Sequence, residues 1–213
     1  MSGIVNMVYD NYYYYKKYLI YKISLYYKLF EHYYNPLNSP WWNEIIDGII
    51  LGAIPLKNYN HDDVLVNTEN VKYILTILDQ FELETITYIS QPVKPEDWTE
   101  INVEQKIINS SDFEPLSIED IQKGVSFLEK CVSEIKKDNN NRKIYVHCKA
   151  GHGRSAIIVI AYLIKNHGMT LTEAHEFTKD KRNTINLNQS QFESLVKYHS
   201  FINGNNDGES KST

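Results

Sequence analysis

His147-Cys148-Lys149-Ala150-Gly151-His152-Gly153-Arg154-Ser155 separates two apolar runs, and its reading decides the fold. Upstream, Lys143-Ile144-Tyr145-Val146 is short, β-branched and aromatic, the pattern of a buried strand. Downstream, Ile157, Ile158, Val159, Ile160, Ala161, Tyr162, Leu163 and Ile164 continue from about Arg154 as a helix that is apolar on nearly every side. A strand that turns through a tight loop straight into a helix leaves the helix's first N–H groups without intrahelical partners. The helix dipole adds partial positive charge at the same place. Such a loop binds anions, phosphate above all.

Into it the sequence puts Cys148 first and Arg154 last, a Cys-x5-Arg spacing with Gly151 and Gly153 where the chain must curl tightly. An ordinary cysteine is only a few per cent thiolate at neutral pH. Inward N–H groups, a helix N-terminus and a guanidinium all favour the anion, so Cys148 is the candidate nucleophile. Arg154 stays charged, and its planar fork matches two phosphoryl oxygens in a way that lysine cannot copy. His147 is placed to hydrogen-bond the loop backbone, and the Ser155 hydroxyl to stabilise the sulfur as it leaves a phosphocysteine. Lys149, Ala150, Gly151, His152 and Gly153 complete the phosphate-binding set with Arg154. The competing reading, a buried cysteine beside an ordinary turn, leaves two glycines, an arginine and a hydroxyl at fixed offsets unexplained.

His147-Cys148-x5-Arg154-Ser155 resembles the signature of the cysteine-dependent protein tyrosine and dual-specificity phosphatase superfamily. Trp41-Trp42-Asn43, Ile50-Leu51-Gly52-Ala53-Ile54-Pro55-Leu56, Gln122-Lys123-Gly124-Val125 and Tyr145-Val146-His147-Cys148-Lys149-Ala150-Gly151 are similar to the mitochondrial PTP-like phosphatases that act on phosphatidylglycerophosphate. The similarity runs from about Trp41 to Phe201. It implies an α/β fold with a central, mostly parallel sheet flanked by helices, and phosphomonoester hydrolysis through a phosphocysteine without metal or other cofactor.

That chemistry needs a proton donor, because the alkoxide expelled by the thiolate is a poor leaving group. The resemblance puts the general acid at Asp112, in Asn109-Ser110-Ser111-Asp112-Phe113-Glu114-Pro115; Glu114 is its local rival, and Asp97 and Asp120 are weaker candidates, Asp120 being better explained as an acid in a helix's first turn. Asp79-Gln80-Phe81-Glu82 aligns with an acidic loop of the lipid phosphatases but departs from it at Gln80 and Phe81. Glu82 is read either as a partner that orders Arg154 or as a surface carboxylate. Lys149 and His152 either add charge to the rim or, respectively, point to solvent and fill the turn. The family commonly carries Arg-Pro after its third helix, where this chain has Asn188-Gln189, a departure that would remove one anion contact.

Three divisions are expected: 1–40 as a Tyr/Lys-rich extension for targeting or membrane contact, 41–202 as the phosphatase domain, and 203–213 as a disordered tail. The extension holds eleven of the seventeen tyrosines within its first 35 residues, with Lys16, Lys17, Lys22 and Lys28 recurring too often for a transmembrane helix. As a helix it gathers Leu19, Ile20, Ile23, Tyr26, Tyr27 and Phe30 on one side, which suits a membrane interface or, alternatively, a helix laid against the domain. Within the domain, strands are expected at 45–51, 71–78, 105–108 and 143–146. Helices are expected at 95–100, 118–136 (capped by Ser117), from 154, after a Thr170/Glu173 capping box to about 181, and at 189–201, with 138–142 as a surface loop.

The net charge of −5 argues against a general nucleic-acid binder. The chain's two cysteines, Cys131 and Cys148, make a disulfide framework or zinc site improbable; Cys131 reads as packing. A free thiolate needs a compartment where it does not pair. The expected partners are a phospholipid substrate, phosphatidylglycerophosphate, and a membrane surface, with a phosphoinositide monophosphate or phosphoproteins as the alternative substrates. The expected location is the mitochondrial inner membrane, with cytoplasm as the alternative.

Overall fold

The computed structural model describes residues 2–138 and 141–209. A long helix α1 (Ser2–Tyr34) is followed by strands β1 (Trp42–Ile46) and β2 (Ile49–Gly52), a one-turn α2 (His61–Asp63) and β3 (Val71–Ile77). Next come α3 (Gln80–Glu84), α4 (Pro95–Glu100), β4 (Glu104–Ile108), α5 (Ile118–Asp138), β5 (Lys143–His147), α6 (Arg154–His167), α7 (Leu171–Lys181) and α8 (Gln189–Glu209). The sheet order is β1-β2-β5-β3-β4; β1 and β2 pair antiparallel, and the other three pairings are parallel.

A parallel sheet buried on both faces needs apolar side chains on both, and the alternation provides them. Ile49, Leu51, Leu75, Ile77, Ile144 and Val146 face the core shared with α5 and α6. Ile50, Ile74 and Tyr145 face a second core with Leu65, Val93, Trp98 and Val103, contributed by the segments that flank β3. The fold is the α/β arrangement expected. β5 lies at the sheet's centre, so the loop after it opens at the carboxyl end of the parallel strands, where such sheets bind ligands.

The expected strand 45–51 is instead a hairpin. Asp47-Gly48 turns the chain, with Gly48 at φ +81° and Ile46 opposite Ile49, a sequence signal of the kind that favours two-residue turns. The helix at 189–201 continues to Glu209 into the polar tail, whose last residues, 210–213, lie outside the described residues. Residues 139–140 of the expected loop 138–142 also lie outside them. Thr170 and Glu173 form the reciprocal capping box. Cys131 is buried in the core, where burial pushes its thiol up to about 12.

Helix α1 packs on the domain through the buried Tyr21, Leu25 and Lys28. Among the described residues, no helix is long and apolar enough to cross a membrane.

Gly124 lets α5 approach α6: a Cβ there would stand 2.8 Å from Cδ1 and 2.9 Å from Cγ2 of the buried Ile158. Gly→Ala inside a helix ordinarily gains about 0.5–1 kcal/mol, whereas overpacking a core costs roughly 1–3 kcal/mol. Gly124→Ala is therefore expected to lower stability in urea denaturation. Gly124→Ala/Ile158→Val, which removes Cδ1, the nearer of the two crowding methyls, should be less destabilised than the sum of the single variants; simple additivity would contradict the crowding.

Candidate active site

The last residue of β5, His147, pairs in register with Gly52 of β2 and Thr76 of β3, so the loop that follows starts from the most constrained point of the sheet. Each carbonyl from 148 to 153 is then tied to the surrounding scaffold. Cys148 O takes a hydrogen bond from His147 Nδ1 (3.2 Å) and Lys149 O from Ile54 N (3.0 Å). Ala150 O accepts from Arg182 Nη2 (3.1 Å) and Gly151 O from Arg182 Nε (2.9 Å). His152 O accepts from Asn186 N (3.1 Å) and Gly153 O from Ile157 N (3.0 Å). With its acceptors turned to the scaffold, the loop presents its N–H groups to the concavity, the arrangement that holds an anion.

Two glycines permit this winding. Gly151 sits at φ +71°, and a Cβ would fall 2.4 Å from Gly52 O; at Gly153 a Cβ would meet the Gln191 amide at 2.8 Å.

Cys148 is buried at the loop's start, and Ser155 Oγ donates to its Sγ at 3.2 Å. Burial pushes the thiol up. The Arg154 guanidinium and the Ser155 O–H and N–H together outweigh it, leaving the thiol below its ordinary value even with Asp112 nearby. The His147 network runs from Gln105 Nε2 to Thr76 Oγ1 (2.8 Å), then to His147 Nε2 (2.8 Å). With Thr76 donating its proton to Nε2, the ring's own proton sits on Nδ1 and reaches the Cys148 carbonyl. Burial lowers His147 to about 3, so it orients the loop as a neutral ring.

Arg154 is almost fully buried. Its Nη1 and Nη2 donate to Glu82 at 2.5 and 3.0 Å, its Nη1 also reaches Ser110 O at 2.8 Å, and its Nη2 lies 3.0 Å from Asp112 Oδ1. Burial disfavours its charge, but the Glu82 carboxylate more than restores it. Of the two readings of Glu82, the structure gives the Arg154 partner: the carboxylate is buried, held in a capping box with Asp79 at the start of α3.

Asp112 lines the same cavity as Cys148 and Arg154 and also pairs with Lys149 Nζ. Its rivals lie elsewhere: Glu114 is exposed, Asp97 pairs with Lys57 at 3.1 Å, and Asp120 accepts from Ser117 Oγ at 2.7 Å in the first turn of α5. Lys149 does not point to solvent; its stem is buried and its ammonium lies 5.6 Å over the Phe113 ring. His152 lines the cavity with burial lowering it to about 3, so it contributes a neutral ring and no charge to the rim. Asn188 caps α8 by accepting from Gln191 N (2.9 Å), and its Nδ2 donates to Phe113 O (2.9 Å), tying α8 to the Asp112 loop.

Two residues of this site are absent from the sequence reading's candidates. Arg182, buried and facing carbonyls, holds Ala150 and Gly151 and also donates to Asn43 Oδ1 at 2.6 Å. Lys28 of α1 lines the cavity edge and donates to Ser39 Oγ at 2.7 Å and Pro40 O at 3.2 Å. Neither belongs to a local motif: Arg182's partners lie 31 to 142 residues away, and Lys28 reaches across the turn after α1 to a hydroxyl and a carbonyl.

Residues 62–201 match the family model described as the dual specificity phosphatase catalytic domain. A mouse protein named phosphatidylglycerophosphatase and protein-tyrosine phosphatase 1 is 33% identical over 168 residues, 78% of this chain and 80% of that protein. An Arabidopsis thaliana phosphatidylglycerophosphate phosphatase, PTPMT1, is 28% identical over 161 residues, 75% of this chain and 42% of its own length. The crystal structure of PTPMT1 in complex with PI(5)P superposes with a TM-score of 0.65 at 32% identity, covering 78% of this chain and 98% of that one.

Two buried histidines and one half-buried one make stability pH-dependent. His147 and His152 lie near 3 and His61, whose Nδ1 accepts from Leu56 N at 3.3 Å, near 4, all depressed by burial from the ordinary value of about 6.5. Between those values the unfolded chain binds more protons than the native one, so the histidines' contribution to stability is level above pH 6.5 and is lost as pH drops towards 4. Urea midpoints are expected to decline from pH 7 to pH 5, each histidine contributing up to about 2 kcal/mol at pH 5. Equal midpoints at the two pH values would contradict these neutral rings.

Proposed function

The chain belongs to the dual specificity phosphatase catalytic-domain family, and from that premise we propose that it hydrolyses the phosphomonoester of phosphatidylglycerophosphate, yielding phosphatidylglycerol and inorganic phosphate. The enzyme class follows from the family. The observation that carries the chemistry is the loop whose carbonyls from 148 to 153 are all bonded outward, with a lowered thiol at its mouth and Arg154 at its end. The 33% identity to the mouse phosphatidylglycerophosphatase supports the substrate.

In the first step the Cys148 thiolate attacks phosphorus. The P–O bond to the glycerol oxygen breaks, and Asp112, protonated for this step, gives its proton to that oxygen. The loop N–H groups and Arg154 hold the equatorial oxygens as charge spreads over them. The incoming phosphoryl group takes over Arg154 Nη2 from Asp112, freeing the carboxyl to turn towards the leaving oxygen, while Glu82 keeps the guanidinium in place. In the second step water attacks the phosphocysteine, Asp112 takes its proton, and the P–S bond breaks to return the thiolate, stabilised by Ser155. His147 and Arg182 act as positioning residues through the loop backbone.

The product is the phospholipid from which cardiolipin is made, and we assign the enzyme to the mitochondrial inner membrane surface on the same family likeness. Phosphoinositide turnover is the second reading, favoured by the PI(5)P bound to the solved PTPMT1; phosphoproteins are the third, from the mouse relative's name.

The substrate is tested by phosphate release from phosphatidylglycerophosphate, a phosphatidylinositol monophosphate and a phosphotyrosine peptide side by side. Greatest kcat/KM on phosphatidylglycerophosphate is expected, and preference for either alternative would overturn the assignment. Asp112→Asn should lower kcat on the lipid by roughly 10²–10⁴-fold but far less on p-nitrophenyl phosphate, whose leaving group needs little protonation. Equal losses on both would contradict Asp112 as the acid. Arg182→Met should lower kcat on both substrates about equally and raise the apparent pKa of the acid limb of kcat/KM, because the loop amides would no longer converge on the sulfur; an unchanged pH profile would remove Arg182 from this role.

A further inference from the structure

Helix α1 lies outside the 62–201 segment matched by the family model, yet it forms one wall of the catalytic cavity. Ile23, Ser24, Tyr27 and Lys28 line a space of about 370 Å³ together with Cys148 and Arg154. An adjoining cleft of about 250 Å³ is bounded by Ile20 and Tyr21 on the α1 side and by Glu82, Asp112 and Lys149 on the other.

The wall is fixed at both ends. Lys28 and Arg182 both donate to Pro40 O, at 3.2 and 3.3 Å, and Arg182 continues to the carbonyls of the anion loop. One turn-rich segment thus joins α1 to the catalytic loop. Further towards the N-terminus, Lys17 pairs at 2.6 Å with Asp79, the residue that caps the helix carrying Glu82.

Among the described residues, no element covers the opposite face of α1. Tyr12, Leu19, Ile23, Tyr27, Phe30 and Tyr34 recur at helical spacing and are 55–69% exposed. Between residues 12 and 34 the chain has four lysines and one acid, Glu31, whose carboxylate accepts a hydrogen bond from Tyr27 at the stripe's edge. The stripe runs directly into the cavity, because Ile23 and Tyr27 belong to both. Across the mouth, on the Asp112 loop, Phe113 is 62% exposed.

On the lipid phosphatase reading above, we infer that this stripe of α1 seats the protein on an anionic lipid bilayer. In that position Ile23 and Tyr27 form the wall along which the substrate's glyceryl portion passes from the bilayer to Cys148. Aliphatic and aromatic side chains bury at the headgroup boundary, tyrosines sit well at that level, and Lys16 and Lys22 are attracted to anionic headgroups. A bilayer fits this face better than a protein partner. A protein covering Ile23 and Tyr27 would close the mouth, whereas a bilayer contains the substrate.

The test uses Leu19→Glu/Phe30→Glu, two exposed positions that do not line the cavity, with Leu37→Glu as an exposed apolar control off the helix. Binding is read by co-sedimentation with phosphatidylcholine vesicles containing phosphatidylglycerol. Turnover is read on phosphatidylglycerophosphate in the same vesicles and on soluble p-nitrophenyl phosphate. The double variant is expected to lose about tenfold or more in vesicle binding and in lipid kcat/KM, with p-nitrophenyl phosphate turnover within about twofold of wild type and Leu37→Glu unchanged throughout. Unchanged vesicle binding would overturn the inference, as would a wild-type dimer in light scattering that the double variant dissociates, since the stripe would then cover a second copy. Failure of the wild type to hydrolyse either phosphomonoester would instead sink the phosphatase reading, and the binding measurement would still judge the helix.

Discussion

The buried pair of Arg154 and Glu82 is the interaction on which the rest of the site depends. Taking a guanidinium and a carboxylate out of water costs several kcal/mol per ion, and that cost is offset only by good geometry and further hydrogen bonds. Here the pair is two-pronged, and Ser110 O takes another donor. The result is a cation fixed beside Cys148 before any substrate arrives. Preorganised charge of this kind stabilises a phosphoryl transition state without reorganisation during the reaction. The same cation lowers the thiol against its burial and adds to the burial that keeps His147 neutral.

The geometry of the anion loop is imposed from outside. Its carbonyls are held by β5's own histidine, by the backbone at Ile54 and Asn186, and by Arg182, so the loop's shape is a property of the whole sheet end rather than of its nine residues. Arg182 extends this frame to Asn43 in β1 and, through Pro40, to Lys28 of α1. Lys28 is the more exposed to chance: burial and the nearby Arg182 charge lower it to about 7, so its charge is weakly held at neutral pH.

What the sequence makes legible follows from how local each interaction is. Cys148, Arg154, Ser155 and the glycines stand within one loop at fixed offsets, and the α/β alternation follows from hydrophobic runs, so both could be read directly. Asp112 needed the family likeness, because a loop aspartate has no spacing of its own. Glu82 could be placed only as one of two alternatives, since burial decides it and burial is a property of the fold. Arg182 and Lys28 could not be found at all: Arg182 is defined by carbonyl partners scattered from Pro40 to Gly151, and Lys28 by Ser39 and Pro40 in the irregular segment after α1. The β1–β2 hairpin was legible and missed, because Asp47-Gly48 interrupts a run whose apolar residues read as one strand.

The measurement that bears most directly on Cys148 as nucleophile is rapid-quench mass spectrometry of the enzyme turning over phosphatidylglycerophosphate, with the phosphorylated peptide sequenced. Phosphate on Cys148 at a level that rises and then declines as substrate is consumed is the result expected of a thiolate held in this loop. Phosphate release with no phosphocysteine formed, and with the rate unchanged in Cys148→Ser, would mean that water attacks the substrate directly and that the loop only binds it.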